Sequence, residues 1–198
     1  MSMQIRIAPR GAFKSNELCE MHTLRARVFR GRLGWEVPVL SGMEIDGYDA
    51  LEPRYMQMRE GDTLRGCWRL LPTEGPYMLK DSFPQLLDGQ EAPSDPQIWE
   101  LSRFALETDG GGFGFSSMTM ESIEAVIRHA HEQGLQRYVT VTTVAIERML
   151  RRAGVVTTRI GAPQQVGIER AVALYVEIGP TWDALYASRP LTPRPLAS

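Results

Sequence analysis

Cysteine is scarce in this chain. Cys19 and Cys67 are the two it holds in 198 residues. They have no metal-ligand spacing, so both read as buried thiols rather than a disulfide or a zinc set. Histidine is no better grouped. His22 stands alone, and His129 and His131 fall on different sides of a predicted helix. Each reads as a surface or capping residue, and no metal site is expected. Long apolar runs are missing as well. No window approaches the ~20 apolar residues of a membrane helix, and residues 1–10 lack the apolar stretch of a signal peptide. The expected location is therefore the cytoplasm, with no membrane partner. Neither sign of charge dominates: the formal net charge is -2, which gives no reason to expect nucleic acid. No G-x-G-x-x-G follows an early strand, which argues against a Rossmann fold. No serine-centred nucleophile elbow and no internal repeat is present.

What is present is ordinary globular composition, 43% hydrophobic and 23% charged. The length suits one domain over residues 1–198, with about 180–198 as a tail. Ile5 and Ile7 alternate with polar neighbours as in a strand. Leu18, Met21, Leu24 and Val28 recur at helical spacing over residues 15–29. Residues 30–50 hold five glycines or prolines together with Trp35, Glu44, Asp46, Tyr48 and Asp49. A loop of that length in a compact domain tends to be functional. Residues 54–59 and 63–71 read as a hairpin turning at Glu60-Gly61-Asp62. Residues 77–87 suit a short helix broken by Pro84. Further on, helices over 120–130 and 145–153 alternate with strands over 137–144, 155–160, 165–168 and 171–178. About seven strands and four helices result, a mixed α/β or α+β arrangement in three layers.

The most informative stretch is Ile98-Trp99-Glu100-Leu101-Ser102-Arg103-Phe104-Ala105-Leu106. It reads as a buried strand, yet carries Glu100 and Arg103, and buried charges must be paired or shift their pKa. On a regular strand these two point to opposite faces. If both serve one site, a β-bulge or a strand end must lie between or beside them. Burial beside Trp99 and Phe104 is expected to raise the proton affinity of Glu100. The glycine loop that follows, Gly110 to Gly114, would suit an anion.

Leu24-Arg25-x-x-Val28-Phe29, Gly34-Trp35, Glu44-x-Asp46-x-x-Asp49, Arg69 and Glu100-x-x-Arg103-Phe104, in that order, resemble the acyl-homoserine lactone synthases, the LuxI-type autoinducer synthases. The text around Asp46 and Glu100 is most similar to the Las-type, long-chain 3-oxo branch. The resemblance implies an N-acyltransferase (GNAT)-like fold with a central twisted mixed sheet split in a V. It implies transfer of an acyl group from acyl carrier protein to the amine of S-adenosylmethionine, then lactonisation with release of methylthioadenosine. S-adenosylmethionine is a substrate, so no cofactor is expected.

Carried onto this sequence, the resemblance makes Arg25, Phe29, Trp35, Asp46, Asp49, Arg69, Arg103 and Phe104 the substrate-binding set, with Glu100, Arg103 and Arg25 catalytic. The residue types suit the chemistry. An aromatic face such as Trp35 attracts a sulfonium with roughly 0.5–2 kcal/mol, and arginines take the substrate carboxylate. Glu100 is the candidate general base. The arginines and aspartates are expected to pair and order the loop, and Asp49→Ala to abolish turnover without unfolding the protein. Leu106, Met118, Val139, Val141, Met149 and Leu150 are candidates to line an acyl tunnel. Thr140 and Thr142 share one strand face, and the resemblance implies a hydrogen bond from Thr140 to a 3-oxo group. Arg148, Arg151 and Arg152, with Arg159, are the candidate docking face for the acidic carrier protein. Two other readings remain open. One is a coenzyme-A-dependent N-acetyltransferase using Gly110–Gly114 as pyrophosphate cradle, although the R/Q-x-x-G-x-G/A order is missing. The other is a non-catalytic ligand-sensing domain.

Overall fold

Residues 3–107 and 116–186 are described by a computed structural model. The glycine loop and residues 187–198 lie outside the described residues. The alternation at Ile5 and Ile7 gives strand β1 (Met3–Pro9), and the helical spacing gives α1 (Ser15–Ala26) with Met21 and Leu24 buried. The winding then widens into a π-helical stretch, Arg27–Arg32, which keeps Val28 and Phe29 buried. The long loop carries a short ribbon, β2 (Val39–Leu40) with β3 (Met43–Glu44), and a 3-10 turn, Gly47–Ala50. The predicted hairpin is β4 (Arg54–Glu60) and β5 (Thr63–Pro72). Its turn places Gly61 at φ 58°, where a side chain would be strained.

Next come α2 (Met78–Asp81), a 3-10 turn started by Pro84, and β6 (Ile98–Leu106), with the predicted limits. Then follow α3 (Ser117–Glu132), β7 (Arg137–Thr143), α4 (Val144–Arg152), β8 (Thr157–Arg159), β9 (Gln164–Val166), β10 (Glu169–Glu177) and α5 (Ile178–Tyr186). The described residues thus form ten strands and five helices. The excess over the sequence expectation includes the β2–β3 ribbon.

The large sheet has the order β1-β4-β5-β6-β7-β10-β8, with β9 on β10. Every pairing is antiparallel except β6 with β7. That parallel pairing joins Ile98 to Arg137, Trp99 to Tyr138 and Glu100 to Val139 and then ends. Beyond Glu100 the two strands part, so the expected V is present and Glu100 marks its apex.

Helices α3, α4 and α5 cover one face through a core that includes Met58, Leu70, Leu101, Val126, Leu150 and Leu174. On the other face α1 packs on Tyr55, Cys67 and Ala105, and α2 lies over Leu71 and Val139. Each large apolar side chain so buried stabilises the fold by about 1.5–3 kcal/mol.

Four expectations are corrected. Cys19 is exposed, and only Cys67 is a buried thiol, its pKa pushed up to about 12 by burial. His22 is neither surface nor cap: it is buried at 6% exposure. Trp99 and Phe104 pack into the α3 face, whereas the Glu100 side chain reaches α2 on the opposite face. Val139, with Val141, packs on the α2 face, while Leu106, Met118, Met149 and Leu150 belong to the α3 face. Strand parity puts Thr140 and Thr142 on the latter side, opposite Leu174 and Val172. A single apolar channel on the α3 face therefore excludes Val139.

Candidate active site

Three buried elements converge on the α1 side of the sheet, where β6 leaves its regular register. Between Cys67 and Arg69 of β5 the pairing with β6 slips, jumping from Ala105 to Ser102. Arg103 takes up the slack with φ 56°, the left-handed region. Of the two breaks expected if Glu100 and Arg103 serve one site, a bulge or a strand end, the structure has the bulge. It turns the Arg103 side chain onto the face that Glu100 already occupies.

Arg25 comes from α1, Arg69 from β5 and Arg103 from the bulge. The loop supplies Glu44, Asp46 and Asp49, so three cations meet three anions. Arg25 donates from both terminal nitrogens to Asp49, at 2.8 and 2.9 Å, and from Nε to Glu44 Oε2 at 2.5 Å. Arg69 Nη1 reaches Asp46 Oδ1 at 2.5 Å and Asp49 Oδ1 at 3.0 Å, while its Nε donates to Ser102 Oγ at 3.2 Å. Arg103 lies 3.0 Å from Glu44 Oε1 and 2.8 Å from Asp46 Oδ2. Arg25, Arg69 and Glu44 are fully buried, so this is not the exposed ion-pair cluster that contributes little.

The Asp46-x-x-Asp49 spacing has a local cause. Asp46 Oδ1 accepts from the Tyr48 amide at 3.0 Å, and Asp49 Oδ2 accepts from the Asp46 amide at 2.9 Å. This reciprocal capping shapes the Gly47–Ala50 turn and aims both carboxylates inward.

Burial alone would raise the pKa of Asp49, but the hydrogen bonds and charge of Arg25, with the charge of Arg69, hold it far below the carboxylate range. Tyr55, which donates to Asp49 Oδ1 at 2.7 Å, is pushed up by burial and by that carboxylate. His22 sits with Nδ1 2.9 Å from the Glu44 carbonyl oxygen, and burial together with Arg25 lowers its pKa. Burial also lowers Arg103, although a guanidinium remains charged throughout the accessible pH range.

Glu100 borders this cluster, since Ser102, which accepts from Arg69, and the charge of Arg69 both act on its carboxylate. Its two oxygens accept from the backbone amides of Met78, at 3.1 Å, and Leu79, at 2.8 Å. The carboxylate thereby caps the first turn of α2. Burial raises its pKa, and the two amides oppose that rise. The direction agrees with the sequence expectation, but the burying surface is α2 and β7 rather than Trp99 and Phe104.

The aromatic residues form a row. The Arg103 guanidinium carbon lies 5.7 Å from the Phe29 ring centre, and Phe29 stacks on Trp35 at 5.4 Å with a 6° tilt. Phe104 stacks instead on Trp68 at 4.0 Å, on the α3 side. Of the predicted binding set, Arg25, Phe29, Trp35, Asp46, Asp49, Arg69 and Arg103 are thus brought together, and Phe104 is not.

Sequence reasoning passed over Glu44, Tyr55 and Ser102 as site residues. Glu44 had a readable signal, since it sits two residues before Asp46 in an otherwise glycine-broken loop. Among the other candidates, Arg148, Arg151 and Arg152 are exposed on α4. Arg151 pairs with buried Glu147 at 3.0 Å, and Arg159 grips the same carboxylate at 2.8 and 2.6 Å. No group of His, Cys, Asp and Glu among the described residues is arranged to hold a metal ion. No helix among them is long and apolar enough to cross a membrane.

The family model described as autoinducer synthase matches residues 11–181. An acyl-homoserine-lactone synthase of Pseudomonas aeruginosa is 51% identical over 190 residues, which cover 93% of this chain and 94% of that protein. Among solved structures, the AHL synthase LasI superposes with a TM-score of 0.88 at 49% identity, over 98% of this chain and 99% of the other. A coenzyme-A-dependent acyl-homoserine lactone synthase, BjaI, solved with SAM and isopentyl-CoA, gives 0.85 at 27% identity, over 94% and 89%.

Proposed function

Because the chain belongs to the autoinducer synthase family, as an acyl-homoserine-lactone synthase, we propose that its arginine–carboxylate cluster is the S-adenosylmethionine site and that acyl carrier protein brings the acyl thioester. One observation carries the assignment. Arg69 Nη2 is buried without a hydrogen-bond partner, although Nη1 and Nε of the same guanidinium are both satisfied. An orphaned buried donor on a cation is costly, and the carboxylate of an amino-acid substrate would satisfy it. Glu44 Oε1, Asp46 Oδ2 and Arg103 Nε also lack hydrogen-bond geometry despite their short separations, as expected of groups that tighten when substrate arrives.

In this reading Arg69 and Arg103 hold the substrate carboxylate, and the Phe29–Trp35 stack faces the sulfonium and adenosyl group. The neutral amine attacks the thioester carbonyl. A C–N bond forms, the C–S bond breaks, and the carrier's sulfur leaves with a proton. Glu100, buried at the apex of the V with its proton affinity raised, is the acid–base candidate for the amine proton. The carboxylate oxygen then displaces the sulfonium sulfur at carbon-γ, which closes the lactone and frees neutral methylthioadenosine. Orientation alone supplies several kcal/mol of such a ring closure, up to about 7–11 kcal/mol in well-oriented intramolecular reactions.

The acyl chain runs on the α3 face past Leu106, Met118, Met149 and Leu150, with the Thr140 hydroxyl as donor to a 3-oxo group. The exposed arginines of α4 face the acidic carrier. The coenzyme-A dependence named for BjaI makes acyl-coenzyme A the other donor to test.

The test is mass spectrometry of the purified chain incubated with S-adenosylmethionine and acyl carrier proteins of several acyl lengths. A parallel series uses acyl-coenzyme A. Methylthioadenosine and acyl-homoserine lactone in equal amounts from the carrier series support the reading. Product from acyl-coenzyme A alone overturns the donor, and product from neither series overturns the whole.

A further inference from the structure

Glu169 opens β10, on the far side of the V from the loop that carries Trp35. Its Oε1 nevertheless accepts from the Trp35 indole N–H at 3.4 Å. A second contact lies beside it: the Cα of Gly34 faces Ile168, whose Cδ1 would stand 3.9 Å from a Cβ at position 34. A continuous row therefore runs from Arg103 through the Phe29 and Trp35 rings to Glu169. It starts on β6 and ends on β10, and so crosses the gap where β6 and β7 no longer pair. The contact pair also has a chemical reason. An indole N–H can only donate and wants an acceptor when half-buried. Glu44, Asp46 and Asp49 are all held by arginines, whereas Glu169 takes the indole.

We propose that Glu169 is a positioning residue: its carboxylate holds the Trp35 indole across the open end of the V and so fixes the aromatic face against which the sulfonium and adenosyl group pack. This rests on Trp35 being that face. Glu169 does not touch the reacting atoms. Its loss loosens binding of S-adenosylmethionine and leaves the acyl donor alone.

The experiment is calorimetric titration with S-adenosylmethionine and steady-state kinetics on E169A, E169Q, W35F and W35F/E169A, each checked for an unchanged unfolding temperature. E169A raises Kd and KM for S-adenosylmethionine about tenfold, the scale of coupling between contacting residues, with kcat and the KM of the acyl donor unchanged. E169Q, which keeps an acceptor oxygen, restores most of the loss. In W35F, which cannot donate, E169A adds nothing further. Equal loss from E169A in both backgrounds, or none in the wild type while W35F binds weakly, overturns the role of Glu169 alone. Wild-type binding by W35F overturns the reading of Trp35 as the platform, and this proposal with it.

Discussion

Asp49 meets Arg25 through both of its oxygens, and the oxygen that takes Arg25 Nη1 at 2.8 Å also takes Arg69 at 3.0 Å and Tyr55 at 2.7 Å. One buried carboxylate thus ties together α1, β4, β5 and the loop. The sequence led us to expect that Asp49→Ala would stop turnover and spare the fold; the geometry predicts both losses. Deleting one partner of a buried ion pair costs about 3–5 kcal/mol. Asp49→Ala is expected to lower the unfolding temperature markedly and to reduce turnover below detection. Thermal melts beside a methylthioadenosine assay check it, and a wild-type melt would contradict the structure.

Glu100→Gln separates two roles. Burial holds the folded pKa of Glu100 above the 4.5 of an unfolded chain. The fold then binds more protons than the unfolded state between those values, so Glu100 makes stability fall as pH rises through that window. Glu100→Gln should flatten that slope in denaturant titrations. As the amine's base, its loss should also cut kcat by ~10²–10⁴ at every pH. A kcat within threefold of wild type would leave Glu100 only as the cap of α2.

His22 gives the opposite sign. Burial and Arg25 hold its folded pKa below the unfolded value of 6.5. Its contribution is fully present above pH 6.5 and is lost as pH falls through the lower folded value. Protonation there would set a further cation beside Arg25 and the Glu44 carbonyl. Chemical denaturation across pH 4 to 8 should show an acid limb that His22→Gln shortens. An identical limb in the variant would place the acid sensitivity elsewhere.

Thr140→Val keeps the shape of the side chain and removes its hydroxyl. With Thr140 on the α3 face, the variant should lose preference for 3-oxo over unsubstituted acyl donors by about tenfold, the scale of one unmade hydrogen bond of 1–1.5 kcal/mol. Competition between paired donors, read by mass spectrometry, measures the ratio. An unchanged ratio removes the assignment.

Much of this was legible in the residues. Ile98 to Leu106 read as a strand because apolar and aromatic side chains fill nearly every position, and the parity of Glu100 and Arg103 called for a bulge or a strand end once both were placed in one site. The β4–β5 hairpin followed from Glu60-Gly61-Asp62. Other features were not legible, each for a physical reason. A π-helical turn at Arg27–Arg32 has the composition of an ordinary helix end. Two-residue strands such as Val39–Leu40 are too short for any period to show. His22 sits on α1 one turn from Arg25, but whether a lone histidine is buried depends on what covers it, here the Glu44 stretch of the loop. Nothing in the alternation of β7 told which of its faces would meet α2 and which α3, so Val139 and Thr140 could not be assigned to different cores beforehand.

The brevity of the β6–β7 pairing has a consequence of its own. Past Glu100 and Val139, two strand edges face each other inside the molecule, and among the described residues no strand lies between them. Edges of this kind on an outer surface recruit other chains and promote aggregation. Enclosed between two halves of one sheet, they are withheld from other chains. The fold thus places inside one sheet the kind of open strand edges that would be a hazard at its rim.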